Sequence, residues 1–416
     1  MDDANPLVVG GPEPPFIGRL QARGHFGIKC GLENIQELLK GLGHPDQGYP
    51  VVLIAGTNGK GSTGAFLARM LQAAGLKVGW TTSPHLADVT ERIWVEGAPI
   101  RQEALDRLLG EAFAIEARAS LQATYFELMI AAALSAFRES RVDIALVEVG
   151  MGGRWDATNA TDPILSVLTT VGLDHQQYLG DTREAIAREK LCTARDGRPL
   201  VLGPALDPDW IRPLLSCEPT LHPAPGLGAV ELHWDHSRVQ GRRVGLAGRH
   251  QLDNLATAFE VLRRLRAQGF AIPEEHLWPS VAEVQWPGRL WKAPDLEGVW
   301  MDGAHNPDGA SVLADHALAC GVRPHLFVGS MGDKDLRGVA RELQRMGPRS
   351  VTFVQGAEPR YATAPALREA WNLEAPLLTL PQAAAQLRAP SDVPRLITGS
   401  LYLLGDLLRE LGIQPF

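Results

Sequence analysis

The segment Gly56-Thr57-Asn58-Gly59-Lys60-Gly61-Ser62 combines glycines, one lysine and hydroxyl side chains in the order that cradles a phosphate. Consecutive backbone N–H groups and a helix N-terminus would face the anion, and Lys60 would reach the outer phosphates. The common P-loop has Ser or Thr directly after Gly-Lys, whereas Gly61 intervenes here before Ser62, so the match is to a variant. Further along, Thr81-Thr82-Ser83-Pro84-His85 places a hydroxyl at Ser83 that could reach a metal, or simply closes a turn. Glu148 lies near the end of the apolar run 144–149, where an unpaired carboxylate is costly. Such a group is a candidate Mg²⁺ ligand or half of a buried ion pair. Gly150 to Asn159 is rich in glycine, which permits close backbone approach to a ligand. Gly172-Leu173-Asp174-His175 then offers an imidazole, and Asp302 and His305 stand where a further strand runs into a helix.

These residues need a scaffold that gathers them. Val51 to Ala55 is a short apolar run ending at the Gly-rich loop, as a buried parallel strand reads, and Phe66, Leu67, Met70, Leu71 and Ala74 then recur at helical spacing. Strands over 77–81, 143–149 and 164–171 and a helix over 126–137 continue the alternation, which predicts a doubly wound, mostly parallel sheet of P-loop type. In such a sheet ligands collect beyond the carboxyl ends of the strands. Residues 203–245 are punctuated by Pro and Gly and read as loops with at most a hairpin. Strands near 299–302, 325–329, 350–354, 377–380 and 395–398 then predict a smaller Rossmann-like α/β domain. The expected division is 1–289 and 290–416.

Composition narrows the function classes. The 416 residues suffice for two domains, and 45% hydrophobic with 21% charged residues is ordinary globular usage. Forty Lys+Arg against 48 Asp+Glu give a net charge of −8, which disfavours nucleic acid as a partner. The four cysteines, Cys30, Cys192, Cys217 and Cys320, form no CxxC pair, so neither a zinc knuckle nor a disulfide framework is indicated. The amino-terminal residues have no basic and apolar leader, and no apolar run reaches membrane-spanning length, so the expectation is a cytoplasmic protein without a membrane partner.

The chain resembles the folylpolyglutamate synthase and dihydrofolate synthase family within the superfamily of the Mur ligases. The likeness rests on 26–33, the loop from Gly56 to Ser62, Thr82 to His85, Thr124 to Glu127 and Glu148 to Asn159. It continues through Gly172 to His175, Glu189-Lys190, Gly248 to Asn254, Pro287-Gly288-Arg289, Asp302 to Pro307 and Gly399 to Tyr402. The resemblance implies an ATP-dependent ligase that activates a carboxylate as an acyl phosphate for attack by the amine of L-glutamate. Reduced folates and dihydropteroate would be the acceptors, with both activities favoured over one. It implies that Thr57, Asn58, Gly59, Lys60, Gly61 and Ser62, with Asn254, Arg289 and Asp302, contact ATP, and that Ser83, Glu148 and His175 bind two Mg²⁺ ions. Lys60, His305 and Lys190 would be catalytic, Lys190 as a carbamate, although the family's usual Glu-Lys-Ala-Gly-Ile reads Glu-Lys-Leu-Cys here. The pteridine would lie near Ile28, Lys29, Cys30, Gly31, Thr124, Tyr125, Phe126, Glu127, Trp155, Asp156 and Ala157, with Cys30 departing from the family pattern. A monomer is implied. A Mur-type ligase acting on a UDP-linked peptide is the alternative within the superfamily, and a P-loop phosphotransferase acting on a small molecule is the alternative outside it.

Overall fold

The computed structural model describes residues 15–24, 30–356 and 359–416, and the expected pteridine contacts Ile28 and Lys29 lie outside them. An eight-stranded sheet forms the first unit. In chain order its strands are β1 (Val51–Ala55), β2 (Val78–Thr81), β3 (Ile93–Val95), β4 (Ala98–Pro99), β5 (Ile144–Glu148), β6 (Leu165–Leu168), β7 (Pro199–Leu202) and β8 (Thr220–Pro223). Their spatial order is β4-β3-β2-β5-β1-β6-β7-β8, parallel from β2 to β8 with β3 and β4 antiparallel at one edge. Every residue of β1, β2, β5 and β6 is buried, as strands covered on both faces require.

Helix Lys60–Ala73 packs with helix Arg249–Ala267 on one face, burying Phe66, Leu67, Met70 and Leu71. Helix Tyr125–Ser140 and helix Gln102–Arg118 cover the other face. Truncating a fully buried ring such as Phe66 to Ala would cost about 3–5 kcal/mol. Register decides what this packing places together. Ile54 pairs with Glu148, Ala55 with Leu168, and Thr81 with Val147, so the loops after β1, β2, β5 and β6 all leave the same edge.

The stretch 203–245 is more ordered than its Pro and Gly content predicts. β8 extends the large sheet, helix Pro208–Ile211 follows β7, and β9 (Val230–Leu232), β10 (Ser237–Val239) and β11 (Arg242–Val244) form a small antiparallel sheet. These strands have three or four residues each, too short for a hydrophobic period to register in sequence.

The second sheet has the order β12-β13-β17-β14-β15-β16, with β12 (Trp291–Lys292), β13 (Val299–Met301), β14 (His325–Val328), β15 (Ser350–Gln355), β16 (Leu377–Thr379) and β17 (Arg395–Thr398). Only the β12–β13 pair is antiparallel. Asn306 caps helix Pro307–Ala319, its side-chain oxygen accepting from Gly309 N at 2.8 Å, with Pro307 in the first turn. Among the described residues no helix is long and apolar enough to cross a membrane.

Candidate active site

The phosphate-binding loop connects β1 to helix Lys60–Ala73, and its glycines are fixed by their neighbours. Gly59 has φ +89° and lies beneath the Asn254 side-chain oxygen, so a side chain there would be strained and would collide with it. Gly61 explains the variant motif, because a Cβ at this position would stand 3.0 Å from Trp286 Nε1 and 3.7 Å from Glu148 Oε2. Lys60 Nζ donates to the carbonyls of Gly56 at 3.0 Å and Thr57 at 3.3 Å.

Glu148, at the end of β5, is buried and accepts a hydrogen bond from Thr82 Oγ1 at 2.5 Å. Burial pushes its carboxyl above the ordinary range, while Lys60, the Thr82 hydroxyl, Arg289 and the Ser83 backbone N–H oppose that rise. His175 has a left-handed backbone with φ 52°, uncommon for a side chain of this size. Burial, helped by the nearby Lys334, His305 and Lys60 side chains, depresses its ring to about 4 against the pull of Asp174. The ring is therefore neutral at pH 7, the form that ligates metals. Lys190 is buried, donates to Gly56 O at 3.2 Å, and is lowered to about 7 by burial and by Lys60.

The smaller sheet closes this site from the other side. Arg289 donates to Gly288 O at 2.9 Å, and burial lowers its guanidinium against the attraction of Asp302 and Glu148. Both oxygens of Asp302 are held, by Leu290 N at 2.8 Å and Ala304 N at 2.9 Å. His305 Nδ1 lies 2.9 Å from Gly303 O. Asn254, on helix Arg249–Ala267, donates to Gln251 Oε1 at 3.0 Å.

These groups share one cavity of about 190 Å³. Its walls include Thr57 to Ser62, Ser83, Glu148, His175, Lys190, Asn254, Arg289, Asp302 and His305. Among the described residues no group of three or more His, Cys, Asp and Glu is set to hold a metal. One carboxylate, one neutral imidazole and one hydroxyl instead fit an ion that completes its shell with water and phosphate oxygens, as Mg²⁺ does.

A second cavity of about 480 Å³ adjoins the first and shares Ser83, Gly150, His175 and His305 with it. Cys30, Thr124, Phe126, Glu127, Trp155, Asp156 and Ala157 line it, whereas Gly31 and Tyr125 do not. Tyr125 is buried, with the Arg92 guanidinium 5.2 Å from its ring centroid. Thr124 and Glu127 form the capping box of helix Tyr125–Ser140. The Asp156 carboxylate accepts from Met151 N at 2.9 Å and from Thr158 N and Oγ1 at 3.0 and 2.5 Å, which fixes the Gly-rich loop. Trp155 is half exposed at the rim with Tyr178.

Sequence reasoning assigned no role to Asp174, although it stands beside His175. Its carboxylate accepts from Lys334 Nζ at 2.7 Å and Asn306 Nδ2 at 3.1 Å, and lies 3.5 Å from His305 Nε2. Burial pushes its pKa up, but His305, His175 and Lys334 outweigh burial and hold the carboxyl far below the usual carboxylate range. Lys334 was missed too, although it follows the buried β14 at the carboxyl edge of its sheet, and that position was the available signal.

A strand-loop-helix phosphate cradle facing a second α/β sheet across a two-chambered cleft defines a nucleotide-binding protein with room for a second ligand beside the phosphates. The family model described as the Mur ligase middle domain matches residues 54–192. The Bacillus subtilis protein named dihydrofolate synthase/folylpolyglutamate synthase is 32% identical over 431 residues, covering 95% of this chain and 97% of that protein. The solved Mycobacterium tuberculosis folylpolyglutamate synthase complexed with ADP superposes with a TM-score of 0.87 at 27% identity, over 96% of this chain and 99% of that one. A bifunctional folylpolyglutamate synthase/dihydrofolate synthase with Mn, AMPPNP and L-glutamate bound gives 0.81 at 28%, over 97% and 100%. The chain belongs to the dihydrofolate synthase/folylpolyglutamate synthase family.

Proposed function

We propose that the protein joins the amine of L-glutamate to the carboxylate of reduced folates and of dihydropteroate, through an acyl phosphate made from ATP. The observation that carries this reading is the junction of the two cavities at Ser83, His175 and His305. A nucleotide in the smaller chamber would then present its terminal phosphate to a carboxylate in the larger one. The names of the relatives and the nucleotide and glutamate in the solved structures support it.

In this account Thr57, Asn58, Gly59, Gly61 and Ser62 hold the phosphates by backbone and hydroxyl groups, and Lys60 neutralises the outer ones. Asn254, Arg289 and Asp302 shape the remainder of the nucleotide chamber, and the chain works as two units, 1–289 and 290–416. Ser83, Glu148 and His175 would hold Mg²⁺, two ions when nucleotide is bound, and the metal supplies charge neutralisation at the transferring phosphoryl group. An acceptor carboxylate oxygen attacks the γ-phosphorus and ADP leaves. The neutral amine of glutamate then attacks the acyl carbon, phosphate departs with its bridging oxygen, and the amine proton is lost to solvent. Keeping the donor, acceptor and amine in one enclosed space supplies the positioning and excludes the water that would hydrolyse the acyl phosphate.

His305, at the junction, contacts the transferred phosphate. Lys190, lowered to about 7, has a substantial neutral fraction near pH 7, and the neutral amine would add CO₂ with release of a proton to give a carbamate, a negative group in place of a cation where the metal would sit. The pteridine lies in the larger chamber against Cys30, Phe126, Trp155 and Ala157, with Thr124, Glu127 and Asp156 shaping its walls. Turnover with an acceptor whose carboxylate carries oxygen-18 tests the route. One labelled oxygen in the released phosphate is the expected result, and unlabelled phosphate would exclude the acyl phosphate.

A further inference from the structure

The two chambers share a wall made of two chain segments. Glu189 and Lys190, neighbours at the end of helix Arg183–Leu191, line the larger chamber and the nucleotide chamber respectively. The Gly-rich loop lies against them, with Gly150 and Met151 lining both chambers. At Gly153 the approach is so close that a Cβ would stand 2.5 Å from Glu189 O and 3.0 Å from Lys190 O. An Arg154–Glu189 ion pair also joins the segments at 3.1 Å, but its side chains are 47% and 27% exposed, so solvent screening leaves it little holding strength.

Arg195 spans the same two segments. Its Nη1 donates to the carbonyls of Cys192, Thr193 and Ala194 at 3.3, 3.2 and 3.2 Å, just past the helix end. Its Nη2 donates to Asn159 O, Asn159 Oδ1 and Thr161 O at 3.2, 3.0 and 3.0 Å, in the turn that closes the Gly-rich loop. We propose that Arg195 is a positioning residue for the ligation, clasping the Gly-rich loop to the helix end so that the pteridine wall and the Lys190 side chain are set as one piece. The inference rests on the ligase reading of the site.

The carbonyls at a helix end lack intrahelical partners, and here they converge with those of the loop turn on one side chain. Oxygens gathered without a donor between them repel one another. A planar guanidinium answers both sets at once, one nitrogen to each, whereas a lysine ammonium carries its donors on a single point. Thr193 carries the constraint back to Lys190, its hydroxyl donating to Lys190 O at 2.8 Å while its own carbonyl accepts from Arg195. Without the clasp the loop and the helix end separate, which moves Trp155 and Ala157 at the larger chamber and Lys190 at the smaller.

The test is steady-state ADP release by the full chain and by Arg195→Gln, Arg195→Lys and Arg198→Gln, with ATP, glutamate and acceptor varied in turn. Arg198 is the control, since it holds the Asp162 carboxylate at 2.8 Å and the Pro163 carbonyl nearby in the chain and lines neither chamber. Arg195→Gln should raise the acceptor KM about tenfold and lower kcat about tenfold, with the KM values for ATP and glutamate within about twofold, because the phosphate loop and the smaller unit are untouched. Arg195→Lys keeps the charge but reaches only one side, so it should lose about threefold or more in each, and Arg198→Gln should stay within about twofold throughout. A change in only one of acceptor KM and kcat, equal shifts in all three KM values, or the same losses in Arg198→Gln would overturn the inference. Should Arg195→Gln fail to fold, Arg195→Lys decides the matter alone, since unchanged acceptor KM and kcat there remove the clasp. Wild-type protein that ignores glutamate or the acceptor would overturn the ligase reading and this inference with it. A working ligase indifferent to Arg195→Gln overturns the inference only.

Discussion

Replacing Glu148 with Gln should abolish turnover and at the same time stabilise the fold. The side chain is 4% exposed, and the largest influence on its acidity is desolvation, which outweighs Lys60, Thr82 and Arg289 together. A folded-state pKa above the unfolded one means that ionised Glu148 opposes folding at neutral pH. Gln keeps the shape and an oxygen that can accept from Thr82, so the strain of the buried charge is removed without opening a cavity. Relief of a poorly compensated buried polar group is worth about 1–3 kcal/mol, and with about 2 °C per kcal/mol for a chain of this size the melting temperature should rise by about 2–6 °C at pH 8. The gap has a defined pH dependence. As pH falls toward the raised pKa, the folded wild type takes up a proton before the unfolded chain does and gains stability, so the difference narrows toward pH 5. Removing a metal-holding carboxylate should meanwhile lower kcat by at least about 100-fold. Thermal melts between pH 5 and 8, paired with ADP release in Mg²⁺, read both effects. A variant less stable than wild type, or a gap that does not change with pH, would refute the buried-charge argument, and turnover near the wild-type rate would refute the metal assignment.

Lys190, lowered to about 7, should give a ¹³C carbamate resonance in labelled bicarbonate that strengthens as pH rises through 7 and is missing in Lys190→Arg, and its absence from the wild type would remove the carbamate. Trp155→Ala should raise the KM of the pteridine acceptor by about tenfold through lost stacking, leave the KM for ATP unchanged and alter stability by no more than about 0.5 kcal/mol, because the residue is half exposed. Trp286 lies against Gly61, so nucleotide binding should change the intrinsic fluorescence, and Trp286→Phe should lose most of that change in a titration with AMPPNP.

The parts of the site that could be read from sequence are those written in local chemistry. The loop 56–62, Glu148 inside an apolar strand and Asn306-Pro307 at a helix start are each recognisable within a few residues, because strand burial and helix capping act at short range. Trp286 beside Gly61, by contrast, joins positions more than two hundred residues apart, and no local pattern foretells why serine does not follow Lys60 directly. The same is true of Asp174 and Lys334, whose meaning arises only when two sheets face each other. Thr124 and Glu127 show the opposite limitation. Family likeness makes them substrate contacts, yet they form a capping box while also lining the larger chamber, and a capping box is a signal the sequence carries in plain form. Residues 203–245 resisted reading because strands of three or four residues show no period, and their register is set by the neighbours β7 and β10.

Transfer of an activated carboxylate to glutamate between the two chambers is read most directly from the products. Purified protein with Mg²⁺, ATP and L-glutamate, given dihydropteroate or tetrahydrofolate, should release ADP with each acceptor, and mass spectrometry should find each acceptor heavier by one glutamyl residue. ADP release that does not require glutamate, or a phosphorylated acceptor as the final product, would contradict it.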